Sequence, residues 1–334
     1  MFVNPSSNPS GGKRPHTTVF RAISHNSNTT TVGITGRWQT WQKPQGAKLV
    51  YIFALGAGGG GSGGQVAVAG TNKVGAAGGN AGSYSMGLWS AWMLPDTLYL
   101  CVGSGGVGGS AVITQGAKGG DSIVCMHESA TSSTSAFTAA IESAILIADG
   151  GLSNNATTVT NPPSATQRSS NTIYSHFGIV RTWSGLAAIT SPSTVAANGA
   201  FDNYYIGTYR NFHGGGSAGG GTNVATPVNY SNGSTITANT STLQYFNTVT
   251  PFNSNATNVA AGTQSQMPGG FFTMEPFFIS TPAPGGAAAQ AVSAAALIPA
   301  PAGPGCGGSG GGASTVLVNG GTGGDGLIII TAIF

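Results

Sequence analysis

The 334-residue chain carries 56 glycines and only eight Asp and Glu against eleven Lys and Arg, so 6% of it is charged where an ordinary globular domain has roughly 25%. A disordered chain, which pairs low hydrophobicity with high net charge, is excluded by 40% hydrophobic residues gathered in β-branched runs. Collagen is excluded because no strict glycine-every-third-residue register with abundant proline persists.

Residues 1–37, rich in Pro, Ser, Asn and Thr, read as an arm with one strand around Thr17 to Ile23. Lys13, Arg14, Arg21, Arg37, Lys43, Lys48 and Lys73 all precede the first acid, Asp96. The N-terminal part is therefore the candidate for docking on an acidic partner; protein is expected rather than nucleic acid. The alternative is a set of solvated side chains. No apolar h-region occurs before Thr31, so no signal peptide is expected.

After Trp38 and Trp41, the run Lys48 to Leu55 is too continuously apolar for a one-face strand and reads as buried on both sides. Further strands are expected at Ser83 to Met93, Thr97 to Val102, Ser122 to Met126, Ala144 to Ala148 and Leu327 to Phe334, most of them flanked by glycine clusters. Short helices are expected only at Phe137 to Ala144 and Ala287 to Ile298. The low-polarity stretch Ala283 to Ala300 is broken by Gly285, Gly286, Gln290 and Pro299, so no membrane span is expected.

Between Leu152 and Pro304 glycine thins and Asn, Thr and aromatic residues take over. The expected organisation is an N-terminal arm (1–37), a glycine-rich β domain (38–151 plus 305–334) and an insertion (152–304). The fold class is all-β, a β-sandwich or jelly-roll-like domain with glycine-rich loops and a long polar insertion. Each glycine costs roughly 0.5–1 kcal/mol relative to alanine, so dozens of them need a structural return. They either form tight turns or lie side by side as polyproline-II-like segments bonded through their peptide groups, giving a stiff lattice with loops at its edge. The alternative is plain flexible linkers.

Trp41-Gln-Lys-Pro44, the strand ending in Gly56-Ala-Gly-Gly-Gly-Gly61, Gly119-Gly-Asp-Ser122, Ile145 to Gly151 and Gly323-Gly-Asp-Gly-Leu-Ile-Ile-Ile330 recur in an order that resembles the glycine-rich domain of phage tail fibre and other virion proteins. The likeness covers residues 38–151 and 305–334. It implies a virion structural protein, assembled in the host cytoplasm, with other virion proteins as partners and a homotrimer as the common state. A surface-exposed tail fibre or spike subunit involved in host-surface binding is the first expectation. The alternatives are a capsid decoration, head fibre or minor shell protein, or a depolymerase-type tailspike.

Catalytic motifs are weak. Gly56-x-Gly58-x-x-Gly61 has no acid about 20 residues later for a ribose. The pattern G-x-S-x-G occurs at Ser62, Ser217 and Ser309, as glycine-serine clusters produce by chance. Cys101, Cys125 and Cys306 lack C-x-x-C spacing and read as buried thiols. The histidines are scattered, with His127-Glu128 beside Cys125 the one local concentration. Several of the acids sit in glycine turns, where Asp bonds neighbouring backbone. No enzyme, cofactor or metal is expected. Candidate binding residues for a host-surface glycan or protein are Tyr174, Trp183, Tyr204, Tyr205 and Tyr209, whose rings stack on sugar faces or else form the insertion's own core. Lys13, Arg14 and Arg21 are the candidate attachment residues to the particle.

Overall fold

The computed structural model describes residues 14–23, 38–64, 76–110, 114–127, 144–153, 302–308, 310–311 and 319–334, together with the backbone of strands at 178–183, 222–223, 228–229, 271–274 and 277–280. Over these residues the protein is all-β, with two antiparallel sheets stacked as a sandwich. The first has the order β1 (His16–Arg21), β13 (Leu327–Ile333), β3 (Leu49–Leu55), β4 (Tyr84–Ser90) and β8 (Gly178–Trp183). The second runs β2 (Trp38–Gln42), β5 (Thr97–Cys101), β6 (Ser122–Cys125) and β7 (Ala144–Ala148). Two hairpin pairs stand apart, β9 (Thr222–Asn223) with β10 (Val228–Asn229) and β11 (Phe271–Met274) with β12 (Phe277–Ser280).

Alternation builds the core. Val50, Ile52 and Ala54 of β3, Trp89 of β4 and Ile328 and Ile330 of β13 meet Trp41 of β2, Leu98 and Leu100 of β5 and Leu146 of β7. Each such side chain contributes about 1.5–3 kcal/mol when fully buried. β13 pairs with β3 from Leu327 against Leu55 to Ile333 against Leu49, so the C-terminal strand closes the sheet begun before residue 60. On its other side it pairs with β1, which takes residues 16–21 of the expected arm into the sheet. β8, from the insertion, extends the same sheet beyond β4.

Two strand expectations shift. β3 is buried on both faces only over residues 52–55. The run Ser83 to Met93 stops at Ser90, and Ala91–Met93 form a 3-10 turn that leads into β5. β2, Trp38–Gln42, is a further strand that the sequence pattern does not predict. Ala144, the expected end of a helix, opens β7; residues 137–143 and 287–298 lie outside the described residues.

Beyond the sandwich, strands continue into extended glycine segments: I (56–64) leaves β3, II (76–83) enters β4, III (103–110) leaves β5, IV (114–121) enters β6, V (149–153) leaves β7 and VII (319–326) enters β13. Segment VI (302–308 and 310–311) precedes VII. Segment I runs through the middle. Its N–H groups at 56, 59 and 62 donate to II, those at 57, 60 and 63 to IV, and those at 58 and 61 to VII, at 2.8–3.0 Å. Its carbonyls accept from Gly106 and Gly109 of III, Gly151 of V, and Gly308 and Gly311 of VI. A partner that changes at each residue and returns at the third means about 120° per residue, the polyproline II screw.

The six neighbours close a ring. Asn80 donates to Leu152, Gly119 to Gly151, Ala117 to Val107, Gly323 to Gly106, Gly324 to Cys306 and Gly79 to Gly308, joining II to V, V to IV, IV to III, III to VII, VII to VI and VI to II. Close approach explains the glycine: a Cβ on Gly58 would fall on the Cys306 carbonyl, and one on Gly60 on that of Val107. Sheets whose facing side chains hold them about 10 Å apart cannot hydrogen-bond through their peptide groups. Where the side chains shrink to hydrogen, the two layers collapse into one hydrogen-bonded lattice.

Candidate functional site

The lattice has two different flanks. Along III the sequence reads Ser104-Gly-Gly-Val107-Gly-Gly-Ser110, and along VII Asn319-Gly-Gly-Thr322-Gly-Gly-Asp325. Val107, Ser110, Thr322 and Asp325 are exposed while Gly106, Gly109, Gly320, Gly321, Gly323 and Gly324 are buried. One residue in three thus faces outward, at a repeat of about 9 Å. Segments II and VI, by contrast, are buried along nearly their whole described length. The insertion leaves the lattice after Ser153 and returns at VI.

At the end far from the sandwich, the lattice gathers the bases of several chain excursions. Gly63 donates to Thr114 and Ala76 to Gly311, each at 2.9 Å, and Gly109 donates to Gly61. The Gln115 Nε2 group donates to the Ser153 carbonyl at 2.8 Å. Gly63, Ala76, Gly109, Thr114, Gln115, Ser153 and Gly311 are therefore gathered at one end of a peptide framework.

At the opposite end, Lys43 organises the turn between β4 and β5. Its Nζ donates to the carbonyls of Ala91 (3.0 Å) and Leu94 (2.7 Å) and lies 3.0 Å from Asp96 Oδ1. Trp92, on this clamped turn, is 81% exposed. Sequence reading missed it because an aromatic in a strand run reads as core.

Of the candidate attachment residues, Lys13 lies outside the described residues, Arg14 precedes β1 and Arg21 ends it opposite Leu327. Seven residue steps of extended chain place the two arginines roughly 23 Å apart, toward opposite ends of the sheet. Gln39 Nε2 donates to the Arg21 carbonyl at 2.8 Å. Of the candidate binding residues, Trp183 ends β8 in register with Tyr84; Tyr174, Tyr204, Tyr205 and Tyr209 lie outside the described residues.

The motif residues serve the lattice. The segment after Gly56 is the central extended strand rather than a helix, and Ser62 is fully buried within it, its N–H donated to Ala77. Ser217 and Ser309 lie outside the described residues. Asp121 Oδ1 accepts the Gly150 N–H and pairs with Lys118, and Asp325 Oδ1 accepts the Gly105 N–H at 2.8 Å. Cys101, Cys125 and Cys306 are buried thiols without a disulfide. His127 is exposed. Among the described residues no group of His, Cys, Asp and Glu is arranged to hold a metal, and no helix is long and apolar enough to cross a membrane.

No curated protein matches the sequence significantly. The sequence pattern of one family, described as a glycine-rich domain, matches residues 29–333, spanning β2 to β13 and all seven lattice segments. The chain belongs to this glycine-rich domain family.

Proposed function

We propose that the chain is a surface subunit of a bacteriophage particle, of tail fibre or spike type, whose insertion contacts the host surface. It acts by assembly and binding, without catalysis or cofactor. The observation that carries this reading is the lattice: a framework held mainly by backbone hydrogen bonds that gathers the bases of four excursions at the end away from the sandwich. Such a framework holds loops at a distance from an anchoring body, and loops on a rigid scaffold are where specificity resides.

In this reading residues 152–304 supply the contact, with Tyr174, Trp183, Tyr204, Tyr205 and Tyr209 offering ring faces to a glycan or protein and neutral side chains offering hydrogen bonds. The basic segment with Lys13, Arg14 and Arg21 attaches the subunit to other virion proteins, and the assembled unit is a homotrimer. Locating the chain in the particle by cryo-electron microscopy tests the reading. A distal position with the insertion outermost is expected. Burial of residues 152–304 between neighbouring virion proteins would instead favour a capsid decoration or shell role.

A further inference from the structure

The strands of the sandwich end in two opposite directions. Toward the lattice lie Arg21, Leu327 and Leu55, which share one register position. Away from it β3 begins at Leu49 opposite Ser90 and Ile333, β1 begins at His16 opposite Ala332, and β2 ends at Gln42 opposite Thr97. This far pole carries Arg14 and Lys48, both exposed, and the pair Lys43 and Asp96. Asp96 and the Phe334 carboxylate are its acid groups among the described residues, and within that set Lys48 makes no ion pair.

Trp92 stands at the same pole on a turn that is fixed at three points. The Ala91 N–H donates to the Lys48 carbonyl at 2.8 Å, and the Ala91 and Leu94 carbonyls both accept Lys43 Nζ. Ala91 and Leu94 are buried in the core, yet the indole between them is 81% exposed. A ring held out by a rigid turn loses little freedom when a partner covers it, and Trp anchors carry much of the energy of protein interfaces.

Two observations indicate the partner. Residues 1–13 join the fold at Arg14, so the basic segment assigned to attachment enters at this pole, three strand spacings or roughly 14 Å from the Trp92 turn. A standard interface footprint of about 800 Å² spans both. The exposed charges beside the ring, Lys48 next to the turn and Arg14 at the sheet edge, are cationic and complement an acidic surface. A lipid surface fits less well, because about 1 kcal/mol per basic residue leaves two cations and one ring short of stable anchoring.

We propose that this far pole, with Trp92 as its anchor and Lys48 beside it, is where the subunit docks on an acidic surface of another virion protein. The proposal rests on the reading of the chain as a virion subunit and refines it: Arg14 belongs to the docking surface, and Arg21, at the lattice end of β1, does not.

The test mixes the full chain with particles assembled without it and measures the bound chain by sedimentation. Trp92→Ala and Lys48→Glu should each weaken binding by at least about tenfold, whereas Ser110→Glu, exposed on the lattice, should stay within about twofold. Both altered side chains are exposed, and unchanged melting temperatures show the variants folded. Should the parent bind and both variants bind equally, the pole is wrongly assigned while attachment to the particle stands. A parent that does not bind overturns both. Vesicles of phosphatidylglycerol serve as a second probe: binding to them that matches binding to particles and is lost in Trp92→Ala would assign the pole to a lipid surface and overturn the proposal.

Discussion

Ser122 and Leu55 belong to opposite sheets of the sandwich, yet the Ser122 hydroxyl donates to the Leu55 carbonyl at 2.7 Å while accepting the Gly103 N–H at 3.1 Å. Ser83 and Ser85 do the same from the β4 side, donating to the carbonyls of Asp149 and Ile147. These small hydroxyls mark the level at which the two layers become close enough to bond. Ser122→Ala removes both bonds from a fully buried site. It is expected to lower stability by about 1–3 kcal/mol, read as a shift of the urea midpoint with unchanged slope; a shift indistinguishable from zero would mean the seam is not held by this hydroxyl.

Substitution along the lattice should follow a period of three. Gly106→Ala puts a methyl against the Ala117 carbonyl and Gly109→Ala against that of Thr114. Backbone cannot yield as a flexible side chain does, so each should destabilise by roughly 1–3 kcal/mol or more. Val107→Ala, at the outward position between them, should stay within about 0.5 kcal/mol. Equal tolerance at all three positions would contradict the packing; thermal denaturation of the set decides it.

The Lys43 clamp separates a structural ammonium from a surface ion pair. Lys43→Met leaves the carbonyls of Ala91 and Leu94 without this donor and should cost about 1.5–3 kcal/mol. Asp96→Asn removes only a partner whose side chain is 91% exposed and should change stability by no more than about 0.5 kcal/mol. Chemical denaturation of the two variants gives the comparison, and equal effects would show the ion pair to be the dominant contact.

Alkaline behaviour should report on Tyr51, whose hydroxyl burial pushes up to about 12 from 10.0. The folded state therefore holds the neutral phenol more strongly than the unfolded chain does. That preference is fully present below pH 10 and is lost as pH rises through about 12. Tyr51→Phe should flatten the decline between those values, seen as a smaller change of melting temperature with pH; an unchanged slope would assign the decline elsewhere.

Most strands were legible because their signal is local. Lys48 to Leu55, Thr97 to Val102, Ser122 to Met126 and Leu327 to Phe334 each became a strand within a residue or two. What could not be read is what joins them. The lattice is made by backbone groups, so no side chain marks that Gly60 will donate to Ala117 or that Gly61 will donate to Gly321. Glycine clusters were equally compatible with turns until their partners were known, although the x-Gly-Gly triplets along III and VII were a usable signal of a three-residue screw. β1 was read within the arm because its partner, β13, lies some 300 residues away in sequence. Trp92 looked like strand core because nothing local announces that the Lys43 ammonium turns the chain at Ala91 and Leu94.

The central claim is that the glycine clusters form one hydrogen-bonded framework rather than flexible links between strands. Amide hydrogen exchange across residues 56–63, compared with the β3 and β13 amides, tests it most directly. The central segment is enclosed by six others and every N–H in that range is donated, so it should exchange only through global opening, with protection equal to the strands. Exchange of residues 56–63 at the rate of an unstructured peptide, with the strands still protected, would contradict the lattice.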